Sequence, residues 1–599
     1  MKRPKKILNR KQTLFMVQSV LLICIIIVFP VLYVGLANER NHYRDLAFEA
    51  GNAYEQLRAV PTQIGDFTLS NTPGIFNFEF NLQVTHNNPN ARIYYTIDGT
   101  EPSPGSRRRI NGTTVNGRIG DDGQIVVRDR SSRIRSTILS RHTQTHALRG
   151  RPARGVDIPA GTTFKFRAFA FGTPIGETIT ATYIVWRNFA QEFDGVPVIS
   201  ITAPYNNFVE LYWDNVRSED PVRHVFHYEF FEHNGTSNRY ERKFNMPGST
   251  QLGGGRGSRA RPQRVFNVHM ARGDLDGHIT HEVFEGLNDL TRFRLWNNSN
   301  NFWRCLMREP FAQKAAYLAG MNVIHSDYRL AMKFINGEFW GFTTIREHTS
   351  NNFFTSARLG IEPRNRTAII DFSDIWGPMA IDIQEAAGGR TQKLYDDLRA
   401  FVISHDLTQD VNIDRLFDEF FCIENTIDYI ITRTFFDTGG WFDNTRIVRA
   451  VYPDTTSNNP NMDGRWRFIL NDFDGAIPTH HNGNSFNRIF TTSINMVPNI
   501  IYRQILNNPT FVQQFVDRAN ELMTDGLDKE SLVELFEYMR DERLVLLPAH
   551  FNRFSMTNSR TVSSSLANFN YHTNIVHRFI TNRHAYYQQH LNWLLERVS

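Results

Sequence analysis

Two aspartates, Asp472 and Asp474, follow the run RWRFIL (residues 465–470) and precede Gly475. Carboxylates that alternate past the end of a strand can turn their oxygens to one side. A hard divalent cation such as Mg2+ takes oxygen ligands, and Gly475 is expected to let the backbone turn there. Asn444 offers an amide oxygen as a further ligand. A capped turn with two surface Asp, and a turn Asn, are the plain alternatives. The run Gly253-Gly254-Gly255-Arg256-Gly257 reads equally as a flexible loop over phosphates or as a loop without function. No GxSxG, HExxH, CxxC or P-loop GKS/T occurs in the chain. Trp296, Trp303, Trp340 and Trp441 read as core or cleft walls rather than sugar platforms.

The elements that must position these residues fall into two patterns. Residues 67–183 read as β: FNFEFNLQVTH alternates, IYYTIDGTEP runs into an Asp98-Gly99 turn, and TTFKFRAFAFG and TITATYIVW alternate again. From Gly195 the pattern becomes α+β. GVPVISITAP is a buried-strand pattern, HVFHYEFFEHNG ends in an Asn234-Gly235 turn that predicts a hairpin, and RVFNVHMARG is a further strand. Helical stretches follow at about 303–319, 392–404, 413–435, 509–522, 529–546 and 570–595. Strands first and helices later predict a two-lobed domain with a cleft between the lobes.

Composition sets the outer limits. The 599 residues are 41% hydrophobic and 21% charged, which excludes a mostly disordered chain and predicts more than one domain. Three Cys exclude a disulfide scaffold, and two buried free thiols are expected at Cys305 and Cys422. The net charge of +5 demands no nucleic-acid partner. Only ten of the 66 basic residues are Lys, four of them among the first eleven residues. That basic leader (1–11) precedes an uncharged run, 12–38, long enough to span a bilayer and read as a transmembrane signal anchor. A cleaved signal peptide is the alternative, because Gly35-Leu36-Ala37 resembles a cleavage site. The anchor predicts a single-pass cell-membrane protein with its body outside the cytoplasm, secreted if cleaved. A polar, partly helical stalk (39–60) would join the anchor to the β region (61–190). The segment 106–154 is an Arg-rich insert, read as a solvated loop or as a patch for an anionic surface polymer.

The segments IYYTIDGTEP, GTTFKFRAFA and TATYIV resemble the chitobiase/β-hexosaminidase carboxy-terminal type of sandwich, a non-catalytic immunoglobulin-like module of extracellular proteins. Four later segments, in order, resemble the spore-coat CotH kinase family: LGGGRGSRARPQRVFNVHMARGDLDG, RFRLWNNSNNFWRCLMREPFAQKAA, FINGEFWGFTTIREHTSNNFF, and DYIITRTFFDTGGWFDNTRIVRA paired with DGRWRFILNDFDGAI. They cover roughly 197–522, within a kinase-like domain placed at 195–599. The resemblance implies an atypical protein kinase with ATP and Mg2+ or Mn2+ in the cleft and transfer to Ser or Thr of a protein substrate.

On that resemblance Asp472, Asp474 and Asn444 would hold the metal. Ser258, Arg259, Arg264 and Glu347 would contact the nucleotide. Two departures stand out. Arg264 replaces the family's ATP-site Lys, which keeps charge but changes shape; Lys333 is a weak substitute. The family's catalytic Asp falls on Gly440 or, one residue shifted, on Gly439, leaving Asp437 and Asp443 as the nearest carboxylates. The expected function is therefore a membrane-anchored phosphotransferase with weakened transfer. A pseudokinase-type interaction protein, or a surface protein binding an anionic polymer or a partner protein, is the alternative.

Overall fold

The computed structural model describes residues 29–105, 108–110, 113–131, 158–214, 222–259, 261–349, 352–362, 366–373, 380–384, 389–439, 444–556 and 561–599. The Arg-rich insert lies mostly, and Gly440, Trp441 and Asp443 wholly, outside them. So do residues 12–28 of the expected anchor. Residues 29–38 of it open the helix Phe29–Leu57, which continues through the expected stalk. Among the described residues no helix is long and apolar enough to cross a membrane. The end of this helix is docked, since Glu55 accepts from the backbone N–H groups of Asn77 and Phe78.

The β region folds as two sheets around one core. β1 (Thr62–Ile64), β2 (Phe67–Leu69), β4 (Phe80–His86) and β8 (Gln124–Val127) form the first. β3 (Gly74–Phe76), β10 (Thr173–Val185), β9 (Gly161–Ala170), β5 (Arg92–Thr96), β7 (Thr113–Arg118) and β6 (Arg108–Ile110) form the second. Their alternating apolar residues, among them Phe80, Leu82, Phe164, Phe166 and Tyr183, meet in the shared core. A buried carboxylate ties this unit to the next: Glu229 accepts from Thr182 Oγ1 and pairs with Arg242 at 2.9 Å.

The α+β part begins with a closed seven-stranded barrel. β11 (Val198–Thr202), β12 (Arg223–Asn234), β13 (Arg239–Leu252), β14 (Phe266–His269), β15 (Arg292–Trp296), β17 (Glu338–Arg346) and β16 (Tyr328–Ile335) follow in spatial order. β11 is buried along its whole length, as its apolar run predicts, because it pairs with β12 on one side and β16 on the other. The expected hairpin after Asn234 is β12–β13. The helical part follows, with a second sheet in the order β19 (Ala380–Gln384), β18 (Thr367–Ser373), β20 (Asn444–Ala450), β21 (Arg467–Ile469). The expected helix 413–435 is broken. Phe421 bridges to Trp466 and the Cys422 N–H donates to Trp466 O, so two residues leave the helix before Ile423–Phe435 resumes it. One apolar core runs from the barrel into the helices. Cys305 and Cys422 are buried free thiols.

Candidate functional site

A cleft of about 350 Å³ opens where the barrel meets the second sheet. Its acidic residues are Glu309, Asp371, Asp472 and Asp474, and its cations are Arg294, Arg346 and Arg446. Two of the acids are taken. Glu309, in the first turn of the helix Arg308–Leu318, pairs with Arg346 of β17 at 2.9 Å with both side chains buried. Asp371 of β18 faces Arg446 of β20 across the ladder and accepts from its Nε at 3.1 Å. Arg446 also donates to Thr349 Oγ1 and Asn471 Oδ1.

Asp472, Asp474 and Arg294 remain. Asp474 accepts from the backbone N–H and side-chain amide of Asn300, at 3.3 and 3.0 Å. The Asp472 carboxylate has no hydrogen-bond donor among the described residues. Arg294 is held from behind, by Nε donation to Asn267 Oδ1 at 2.8 Å and by Nη2 against His348 Nε2 at 3.2 Å. Among the described residues it has no carboxylate ion-pair partner. Burial, with Arg346 and Arg446 adding, pushes its guanidinium down to about 9, so it stays charged at neutral pH.

The backbone that presents Asp472 is fixed by an arginine the sequence motifs did not single out. Arg433, fully buried on the helix Ile423–Phe435, donates to the carbonyls of Asn471, Asp472 and Asn444 and lies 4.0 Å from the Phe473 ring centre. The expected turn is also made differently. Asp472 itself takes the left-handed conformation, φ 55°, and Gly475 does not. Aspartate tolerates that region better than most residues, so the carboxylate and the turn share one position. Arg433→Ala should cost about 3 kcal/mol, because three carbonyls lose a charged donor inside the core. Urea unfolding monitored by circular dichroism measures it.

Burial, followed by the Asp474 and Glu309 carboxylates, pushes Asp472 up to about 7, against the opposing pull of Arg433 and Arg346. A raised carboxyl pKa means that the folded protein holds this proton longer than the unfolded chain. Between about pH 4 and pH 7, ionisation of Asp472 therefore costs stability, and above 7 the cost is constant. Asp472→Asn removes it: the variant should match the parent near pH 4 and melt a few degrees higher near pH 8, by differential scanning calorimetry. Any cation that binds this carboxylate should do so roughly tenfold more tightly per pH unit below 7, because the ion displaces the proton.

The structure brings together Asp472, Asp474, Asn444 and Ser258, all on the cleft wall. Gly254 and Gly255 line it too, so the Gly-rich run does border the cleft. Gly254 has φ 76°, and a Cβ there would lie 2.6 Å from Ser258 Cβ, so a larger residue would displace Ser258. Arg259 folds back onto the Gly254 carbonyl.

Other expected site residues lie elsewhere. Arg264 donates to Tyr212 O at 3.0 Å, packs over the Tyr212 and Trp213 rings and is 4% exposed, off the cleft wall. Lys333 is fully buried in the barrel, its Nζ without a hydrogen-bond partner among the described residues, and burial pushes it down to about 7. Glu347, one residue past the end of β17, is not on the cleft wall, which Arg346 lines, and pairs instead with Arg358, at 3.1 Å. Asp437 is buried, accepts from Ser485 Oγ and Arg488, and its Oδ2 lies 1.9 Å from where a Cβ on Gly483 would be, so the Gly483 backbone seals it in.

The CotH kinase protein family matches residues 253–587, more than half of the chain. The chain belongs to the CotH kinase family. No curated protein matches the chain. The match begins at Gly253, in the loop over the cleft, and ends in the helix Val562–Val598. Strands β11–β13 precede it but close the same barrel as β14–β17, so the folded unit is longer than the match.

Proposed function

We infer that this CotH-family protein is kinase-like, that its cleft takes ATP with a divalent cation, and that its transfer to a protein Ser or Thr hydroxyl is weak. The observation that carries the reading is the charge left over in the cleft: Asp472 and Asp474 face Arg294 after every other lining acid and cation has paired. Among the described residues no three His, Cys, Asp or Glu side chains cluster as a metal cage. That fits Mg2+ or Mn2+ bound by one or two carboxylates and completed by phosphate and water. Asp472 and Asp474, with the Asn444 amide oxygen nearby, would hold the ion. The ion would supply charge neutralisation at the transferred phosphoryl group. Arg294 would meet phosphate in place of the family's Lys, and the Glu309–Arg346 pair would keep the facing wall rigid.

Weak transfer follows from the other half of the site. Asp437, the nearest described carboxylate in the segment where the family carries its catalytic Asp, is engaged by Ser485 and Arg488. The uncharged run 12–38 behind a basic leader supports a body held outside the cytoplasm, which protease accessibility on intact cells tests. The central test is thermal: the melting temperature should rise with ATP plus Mg2+ or Mn2+ together, and with neither alone. No shift with any nucleotide–metal pair would overturn the reading.

A further inference from the structure

The barrel wall beside the cleft carries a second cationic feature. Arg223 of β12, Gln251 of β13, Asn267 of β14, Arg294 of β15 and Arg346 of β17 stand opposite one another in turn, forming one row across five strands. Ser249, His269 and Arg292 form the adjacent row. The apolar residues between them, Val268 and Phe293, point into the barrel core, so both rows lie on its outer side. Arg272, just past β14, joins them: Arg223, Arg272, Arg292 and Arg294 all act on His269, which burial and these charges push down to about 3.

No carboxylate among the described residues forms an ion pair with any of these four arginines. His269 is 6% exposed, and neither of its ring nitrogens has a hydrogen-bond partner among the described residues. The same holds for the donor Nη1 of Arg223. Arg223, Arg272 and Arg292 repel one another and have no ion-pair partner among the described residues, and buried donors without acceptors cost free energy. Both costs are removed by a ligand that brings negative charge and several acceptor oxygens. The row runs into the cleft at Arg294 and Arg346, so such a ligand would lie next to the transfer site.

We propose that this arginine face binds a phosphorylated Ser or Thr of the acceptor polypeptide, docking chains that already carry phosphate near the hydroxyl to be modified. A phosphate monoester presents three acceptor oxygens and nearly two negative charges, which suits several guanidinium forks better than one carboxylate does. The rows carry no aromatic platform other than His269, which disfavours stacked nucleobases. From Arg223 to Arg294 is three strand spacings, about 14 Å. An extended peptide covers that in about four residues, which sets the separation between phosphate and acceptor. The acceptor role rests on the kinase reading; the binding does not.

The test uses the full chain without nucleotide and fluorescence anisotropy with three labelled peptides. They are identical except for phosphoserine, Glu or Ser four residues from a second Ser. The phosphoserine peptide should bind at least tenfold more tightly than the Ser peptide, with the Glu peptide between. Arg223→Gln combined with Arg292→Gln should remove that preference and leave the ATP–metal melting shift unchanged. Arg223→Lys with Arg292→Lys, which keeps charge and loses the fork, should retain only part of it and serves if the Gln pair fails to fold. Equal binding of the phosphoserine and Ser peptides, a preference that survives in the Gln variant, or a single-stranded oligonucleotide bound as tightly through the same arginines would overturn the proposal. Because no nucleotide is present, failure of the kinase reading would appear in the melting assay and not here.

Discussion

Replacing Asp472 and Asp474 together by Asn is expected to abolish the stabilisation by ATP plus metal and to lower any phosphoryl transfer by roughly 10³-fold or more, since a catalytic metal is worth several kcal/mol. Asn keeps the size of each side chain and one oxygen, so the Asn300 N–H and amide can still donate to position 474. What is lost is negative charge, the property a hard cation needs. The apo protein should not suffer, because the carboxyl at 472 is one that burial already holds towards its neutral form. This separates the two roles of the pair: the unliganded variant melts at or above the parent near pH 8, while its response to ATP–Mg2+ disappears. Arg264→Lys provides the contrast. Arg264 is bound to Tyr212 and lies off the cleft wall, so that exchange should leave the response in place. A double Asn variant that still responds like the parent would move the metal site away from Asp472 and Asp474.

The parts of the site legible in the sequence are those carried by short, local patterns. DFD after an apolar strand marked Asp472 and Asp474, and the Gly-rich run marked the loop at Gly254, because both depend on residues adjacent in the chain. Pairing between distant segments was not legible. Glu309 meets Arg346 from 37 positions away, and Arg446 meets Asp371 from 75, and no periodicity relates them. Arg294 could have been found: RFRLW alternates, so Arg292 and Arg294 share a face, and a strand with two cations on one side asks what they face. Arg264 misled because its position matched the family pattern while its side chain turned to the Tyr212–Trp213 pair. The fold was legible at the level of strands first and helices later. Closure of the barrel was not, since it depends on β11 pairing with β16 across more than a hundred residues.

Gly439→Asp is expected to raise autophosphorylation by ~10²-fold, the usual worth of a positioned general base. The family's catalytic Asp falls on Gly440 or Gly439 of this chain. Gly439 is the described one of the two, and it borders the loop that carries Asp472 and Asp474: its carbonyl oxygen lies 3.4 Å from where a Cβ on Gly475 would be. Among the described residues a Cβ on Gly439 itself would meet nothing within 4 Å, and its φ lies outside the left-handed region, so a side chain meets no described atom there. Asp437 cannot substitute from two residues away, because Ser485, Arg488 and the Gly483 backbone enclose its carboxylate. The gain should therefore appear in turnover and not in nucleotide affinity, which on the proposed reading rests on Asp472, Asp474 and Arg294. Gly439→Asn, with the same shape and no basic oxygen, should gain little. Radiolabelled ATP with Mn2+ and the purified full chain measures all three proteins side by side. Robust transfer by the parent, lost in Asp437→Ala while the melting temperature holds, would show that the enclosed carboxylate opens during turnover, and the weak-transfer reading would fall with it.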